Sequence, residues 1–112
     1  MPHFIVHTTS KLVEGLDKHF LLDELFDAAL KSNLFVKEDI KVRIDDFSEH
    51  LVGGCRNQDF VHVFSYIMEG RTAEQKQELM TAIMKKLEIF IPSDIPVAMN
   101  IYEFETFAYR KR

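Results

Sequence analysis

The apolar positions of this chain switch between two periods, and the switches mark its elements. His3 to Thr8 is a short run mixing β-branched and aromatic residues, which predicts a strand. From about His19 to Lys31, Leu22, Leu25, Phe26, Ala29 and Leu30 recur at helical spacing with Asp23, Glu24, Asp27 and Lys31 between them, the pattern of an amphipathic helix. Ile40, Val42 and Ile44 then alternate with Lys41, Arg43 and Asp45, a period-2 strand whose aliphatic face packs on a helix while Lys41 and Arg43 share the other. Gly53-Gly54 and Arg56-Asn57-Gln58-Asp59 predict a loop. Phe60 to Met68 predicts a third strand that stops at Gly70. Thr72 followed by Gln75 three residues on has the form of a capping box. It opens a second helix carried by Leu79, Ile83, Leu87 and Phe90 and ended by Pro92, and Val97 to Phe107 is the last predicted strand.

The order is β-α-β-β-α-β without a linker, so residues 1–112 are expected to form one domain. Each βαβ half should be right-handed with parallel strands. The fold class is therefore α/β (α+β): two βαβ units in a four-stranded mixed sheet, with two helices on one face. His3-Phe4-Ile5-Val6-His7 also resembles Asp59-Phe60-Val61-His62-Val63, which suggests an internal duplication.

Size and charge narrow the functions. A 112-residue chain can bury one core but has little surface to spare for a deep pocket of its own. A pocket built between subunits would ease that limit. The net charge of −4 argues against nucleic acid, whose binding needs a basic surface. The basic run Arg110-Lys111-Arg112 is expected to be a solvated end. Cys55 is the only cysteine, so no intrachain disulfide forms. No apolar stretch approaches the ~20 residues of a membrane span, and the opening lacks the pattern of a signal peptide. A cytoplasmic protein with neither a membrane nor a nucleic-acid partner is expected.

Pro2-His3-Phe4-Ile5-Val6, Phe60-Val61-His62, Gly70-Arg71 followed by a Thr cap, and Tyr102-Glu103-Phe104-Glu105 together resemble the 5-carboxymethyl-2-hydroxymuconate delta-isomerase family of the tautomerase superfamily. The resemblance runs over nearly the whole chain. It implies a tautomerase-like fold, a homotrimer and a cofactor-free isomerase. The implied substrate is an unsaturated carboxylated enol or ketone from aromatic-compound breakdown. The amino-terminal proline would shuttle a proton, and cationic side chains would hold the carboxylates. The family has arginine where Lys41 aligns, so this chain departs there.

The residue types suit that chemistry. With Met1 removed, Pro2 carries a secondary amine, and a free α-amino group has a pKa of about 7.7–8.0. Burial or nearby cations lower it toward the range best suited to a general base. While Met1 is attached, the same nitrogen is a non-basic amide. Arg71 offers a fixed cation to a developing oxyanion or a carboxylate. If strands one and three are antiparallel neighbours, the start of one lies beside the end of the other, and Arg71 comes to Pro2. Lys41 and Arg43 open a strand parallel to the first and should lie near Pro2 as substrate-binding cations. Lysine keeps the charge but lacks the planar fork, which Arg43 would partly replace. Tyr102 is a further pocket-lining candidate. Plainer readings stand beside these: a proline that opens a strand, a solvated arginine where a helix begins, a core or interface tyrosine.

Other residues carry less. His3 and His7 stand about 13 Å apart on one strand face, too far to share a metal, and no metal site is expected. His62 reads as a packed strand histidine, and Cys55 lacks a setting that would activate it. The alternative to an isomerase is a trimeric module of the same fold that binds a small carboxylate without turnover.

Overall fold

The computed structural model describes residues 1–112 and has the expected order with one addition. Strand β1 (His3–Thr9) runs directly into a short helix α1 (Ser10–Glu14), followed by helix α2 (Lys18–Lys31), strand β2 (Lys41–Phe47), strand β3 (Val61–Met68), helix α3 (Ala73–Phe90) and strand β4 (Val97–Phe104). Single 3-10 turns at Lys37–Asp39 and Thr106–Ala108 precede β2 and follow β4. The sheet order is β2-β1-β3-β4. β1 pairs with β2 in parallel, β3 with β4 in parallel, and β1 with β3 antiparallel, so two βαβ units meet along the central pair.

Local chemistry sets the helix ends. Asp17 caps α2 by accepting from the Phe20 N–H at 3.0 Å. Asn33, at φ 60°, turns the chain out of that helix. The Thr72–Gln75 capping box forms in both directions, at 3.1 and 2.9 Å. Leu21, Leu25, Ala28 and Ala29 of α2 and Leu79, Ile83 and Leu87 of α3 are buried against Phe4, Val6, Val61 and Val63. The buried stripe of α2 is thus centred one position earlier than its apolar spacing suggested, with Leu30 and Phe26 flanking it.

β1 buries its even positions and β3 its odd ones. The short internal match sets Phe4 beside Phe60. An even offset of that kind places corresponding side chains on opposite faces, because the strand period is two. The two halves therefore correspond as βαβ units, but not in the register of that match. The last strand is also shorter than expected. β3 ends at Met68 and Gly70 leaves the sheet at φ 110°, so the edge strand β4 has no neighbour past Phe104, and its chain turns at Thr106–Ala108 instead of extending to Phe107.

Both long helices pack on one side of the sheet. The other side presents His3, Ile5, His7, His62, Phe64, Tyr66, Tyr102 and Phe104. Its rings interlock, with Tyr66 stacked on Tyr102 at 5.2 Å and His7 edge-on to Phe64 at 4.9 Å. No helix is long and apolar enough to cross a membrane.

Candidate functional site

The antiparallel pairing of the central strands sets His3 opposite Tyr66, so the chain start lies beside the exit of β3. Pro2 is buried there, and its carbonyl accepts from the Lys41 N–H at 3.0 Å, extending the β1–β2 ladder by one bond. At the exit of β3, Gly70 adopts a backbone conformation that L side chains resist and turns the chain back toward Pro2. Pro2 and Arg71 consequently line one cavity of about 150 Å³, together with Leu34, Phe35, Asp39 and Met68.

Arg71 is held from three sides. Its guanidinium donates to the Met68 carbonyl at 3.2 Å and the Leu34 carbonyl at 2.7 Å, and it lies 5.3 Å from the centre of the Phe35 ring, within reach of a cation–π attraction. It is half-buried, not a solvated side chain at a helix start. A guanidinium carries five N–H donors, so these two bonds fix the fork without exhausting it.

The amino-terminal nitrogen, here that of Met1, donates to the Tyr109 hydroxyl at 2.9 Å. Burial is the main influence holding its pKa below the ordinary value of 8.0. The Asp39 carboxylate opposes that shift, and Lys111, Lys41 and Arg71 add to it. An amine at this end of β1 therefore sits among cations that disfavour its protonated form.

The remaining expected residues divide. Lys41 lies beside the site: its backbone pairs with Pro2, its ammonium donates to the Asp39 carbonyl at 3.0 Å, and its charge reaches the terminal amine. Arg43 lies further along. It is opposite Ile5 in the register, exposed, and its guanidinium contacts His3 Nδ1 at 3.0 Å. Burial, then Arg43, holds the His3 pKa below 6.5. Tyr102 is 48% exposed on the helix-free sheet face, against Tyr66, and does not line the Pro2 cavity within the protomer. His7 finds Asp45 at 3.7 Å and His62 finds Asn100 at 2.7 Å, so the strand histidines have separate partners.

Four residues at the site carried no signal in the sequence pattern: Phe35, Asp39, Tyr109 and Lys111. The first two sit in the irregular connection before β2. The others belong to the basic run's surroundings; Arg110, Lys111 and Arg112 are exposed as expected, and the Lys111 ammonium also reaches Asp39 at 2.5 Å. Larger hollows exist on α3, one of about 510 Å³ lined by residues such as Glu74, Gln77 and Lys85. That trough is open, with Ala82 its one apolar lining residue. The small cavity at Pro2 is the one where a convergent cation, a titratable nitrogen and apolar walls meet, the combination expected of a site.

A family model described as 5-carboxymethyl-2-hydroxymuconate isomerase matches residues 2–111. Among solved structures, a 5-carboxymethyl-2-hydroxymuconate delta-isomerase superposes with a TM-score of 0.81 at 14% identity, covering 100% of this chain and 87% of that one. A 5-carboxymethyl-2-hydroxymuconate isomerase from Deinococcus radiodurans R1 gives 0.79 at 22% identity, covering 99% and 88%. A fused 4-OT wild-type symmetric trimer gives 0.76 at 14% identity, covering 92% and 87%. At these identities the likeness is one of fold, and that fold is the four-stranded tautomerase sheet described above. No curated protein sequence matches.

Proposed function

The chain belongs to the 5-carboxymethyl-2-hydroxymuconate isomerase family, and from that premise we propose that it is a cofactor-independent isomerase that uses the Pro2 amine, freed by removal of Met1, as its general base. The observation that carries this reading is that Pro2 and Arg71 line one cavity in which a terminal amine is held below its ordinary pKa. The amine takes a proton from the carbon next to the carbonyl or enol of an unsaturated carboxylated substrate and returns it further along the conjugated system. Arg71, already oriented by two carbonyls and a ring, stabilises the charge that develops on oxygen, or holds a carboxylate in its fork. Lys41 anchors a carboxylate beside it. Arg43 and Tyr102 serve substrate from the helix-free face.

We further propose a homotrimer. A cavity of about 150 Å³ is smaller than the roughly 300–1,000 Å³ of typical ligand pockets, and a neighbouring copy would enlarge it. The aromatic, helix-free sheet face is an apolar patch of the kind that marks an interface, and relatives of this fold include trimers. A single monomeric species in sedimentation at micromolar concentration overturns this part.

The decisive experiment compares the processed protein beginning at Pro2 with the same chain retaining Met1, each verified by mass, following the ultraviolet change as a carboxylated hydroxymuconate or a phenylpyruvate-type enol tautomerises. Acylation delocalises the proline lone pair into an amide, so the retained form should be at least ~100-fold slower, the low end of general-base catalysis. Equal rates remove Pro2 as the base and favour a carboxylate-binding module without turnover.

A further inference from the structure

The residues after β4 do not trail into solvent. The Thr106 N–H donates to Glu69 at 2.5 Å, just past the end of β3. The Tyr109 ring lies 5.5 Å from that of Phe104, which fixes its direction, and its hydroxyl accepts from the terminal amine at 2.9 Å. Lys111 then meets Asp39, 72 residues away in sequence, at 2.5 Å. From the edge strand β4 this segment crosses the ends of β3 and β1 to the turn before β2, the full width of the sheet at the end where Pro2 lies. Asp39 itself lines the cavity with Pro2 and Arg71.

We propose that this segment is a wall of the proton-transfer site, in which Lys111, seated on Asp39, and Tyr109 are positioning residues for the amino-terminal nitrogen. The inference rests on the reading of that nitrogen as the base. Its physical content is a balance of charges. Asp39, from the turn before β2, is the one acidic group acting on the amine and favours the ammonium. Lys41 from β2, Arg71 from the β3–α3 turn and Lys111 from the closing segment oppose it, and His3 on β1 senses the same amine. Lys111 is the cation bonded to the Asp39 carboxylate, and that bond is the main cause of the carboxyl's lowered pKa. Neutralising Asp39 in place, it keeps the amine available as a free base without emptying the site of the carboxylate. An isolated surface pair of this kind would contribute little to stability; its role here comes from its distance to the nitrogen. Loss of Met1 moves the free amine by one residue, about 3.8 Å along the chain, to Pro2, which lines the same cavity as Asp39 and Arg71.

The test titrates the amine directly. Processed protein is acylated with limiting acetic anhydride across pH, and the modified amino-terminal peptide is quantified by mass. Lys111→Ala leaves Asp39 unpaired, so the midpoint should move up; Asp39→Asn should move it down; Asp39→Asn combined with Lys111→Ala should lie between them; Lys111→Arg should restore the parent value. The acid limb of kcat/KM should move in the same directions, and every shift should shrink at high salt, since the groups are partly exposed. In the Met1-retained chain, where the Tyr109 hydroxyl accepts from the amine, Tyr109→Phe should lower the amine's midpoint, because an acceptor favours the ammonium. Midpoints and limbs that stay fixed in Lys111→Ala and Asp39→Asn, with far-ultraviolet dichroism unchanged, overturn the proposal. Midpoints that move as stated while the Met1-retained and processed forms turn over equally support the segment's hold on the amine and reject the amine as base.

Discussion

The two ends of the central strand pair can be set side by side, because the two βαβ units make them near-equivalent: at each end one strand of the pair begins and the other finishes. At the end where β1 begins, Pro2, Arg71, Lys41, Asp39 and Lys111 gather around a small cavity. At the end where β3 begins, the polar groups are spent on each other. The Thr8 hydroxyl donates to the Phe60 carbonyl at 2.8 Å, that of Thr9 to Asp59 at 2.6 Å, and that of Ser10 to Asp46 at 2.6 Å. The hollow nearby, about 370 Å³ lined by Leu51, Val52, Phe60 and Pro96 among others, is mainly apolar. It is the larger of the two and is lined by no arginine, lysine or amine, His62 being its one titratable residue. The scaffold therefore does not dictate at which end cations and a cavity converge. A terminal nitrogen and an arginine delivered by a glycine turn distinguish one end from a near-twin, which is why a shared fold alone does not establish an activity.

The strongest way to erase that distinction, apart from retaining Met1, is to remove its arginine. Arg71→Ala should reduce kcat by on the order of 10²-fold or more, the scale of losing one oxyanion donor, measured under saturating substrate. Near-normal kcat would mean that Arg71 only braces Leu34 and Met68. The pH profile sharpens the same contrast. On the proposed reading the base works unprotonated; the Met1 amine at this end of β1 is held below the ordinary 8.0 by burial, with Lys111, Lys41 and Arg71 adding to the shift against the pull of Asp39, and the same surroundings should act in the same direction on the amine of Pro2. kcat/KM should therefore be full above that pKa and fall tenfold per pH unit below it. In a pH titration of initial rates, an acid limb lying above pH 8 would contradict the sign.

How far the sequence discloses this contrast depends on the range over which each feature is encoded. Strands and helices were legible because their apolar period repeats within a dozen residues, and the capping box at Thr72 because its partners are three apart. The meeting of Pro2 and Arg71 was legible only on a condition, that β1 and β3 be antiparallel neighbours, and the sheet meets it. The helix α1 gave no warning. It starts without a break in the strand, and the cap hydroxyl that would announce it, Thr9, is committed to Asp59 instead. Asp39 and Lys111 were invisible for a different reason: a pair 72 residues apart has no periodic trace, and a lysine in a basic run looks the same whether or not it is anchored. Arg43 illustrates the cost of arguing from a shared face alone. It does share a face with Lys41, but two residues along a strand span about 6.6 Å, enough to give it to His3 instead of the amine.

A smaller effect is expected at the edge of the reactive end. Lys41→Ala removes a cation assigned to substrate anchoring, so it should raise KM several-fold with kcat little changed, the signature of binding that is equal in ground and transition states. Because Lys41 also helps disfavour the ammonium, the acid limb of its kcat/KM should move slightly to higher pH. A fall in kcat with KM unaltered would transfer Lys41 from anchoring to the chemical step.

The smallest effect tests the inert end. Thr9 is fully buried and its hydroxyl donates to Asp59 at 2.6 Å. Thr9→Val keeps the β-branched shape that a strand favours and deletes only that hydrogen bond. Bonds to charged groups contribute about 1.5–3 kcal/mol, but Asp59 is only half-buried and can be rehydrated when its partner is lost. The expected destabilisation is therefore at the low end, about 1–1.5 kcal/mol, read as a lower urea midpoint with an unchanged slope. Turnover should not change, because the six residues from His3 to Thr8 separate Thr9 from Pro2 and no group at the Pro2 end touches this bond. If the variant instead loses activity while its urea midpoint holds, the two ends are coupled through β1, and the division of the sheet into a reactive and a purely structural end fails.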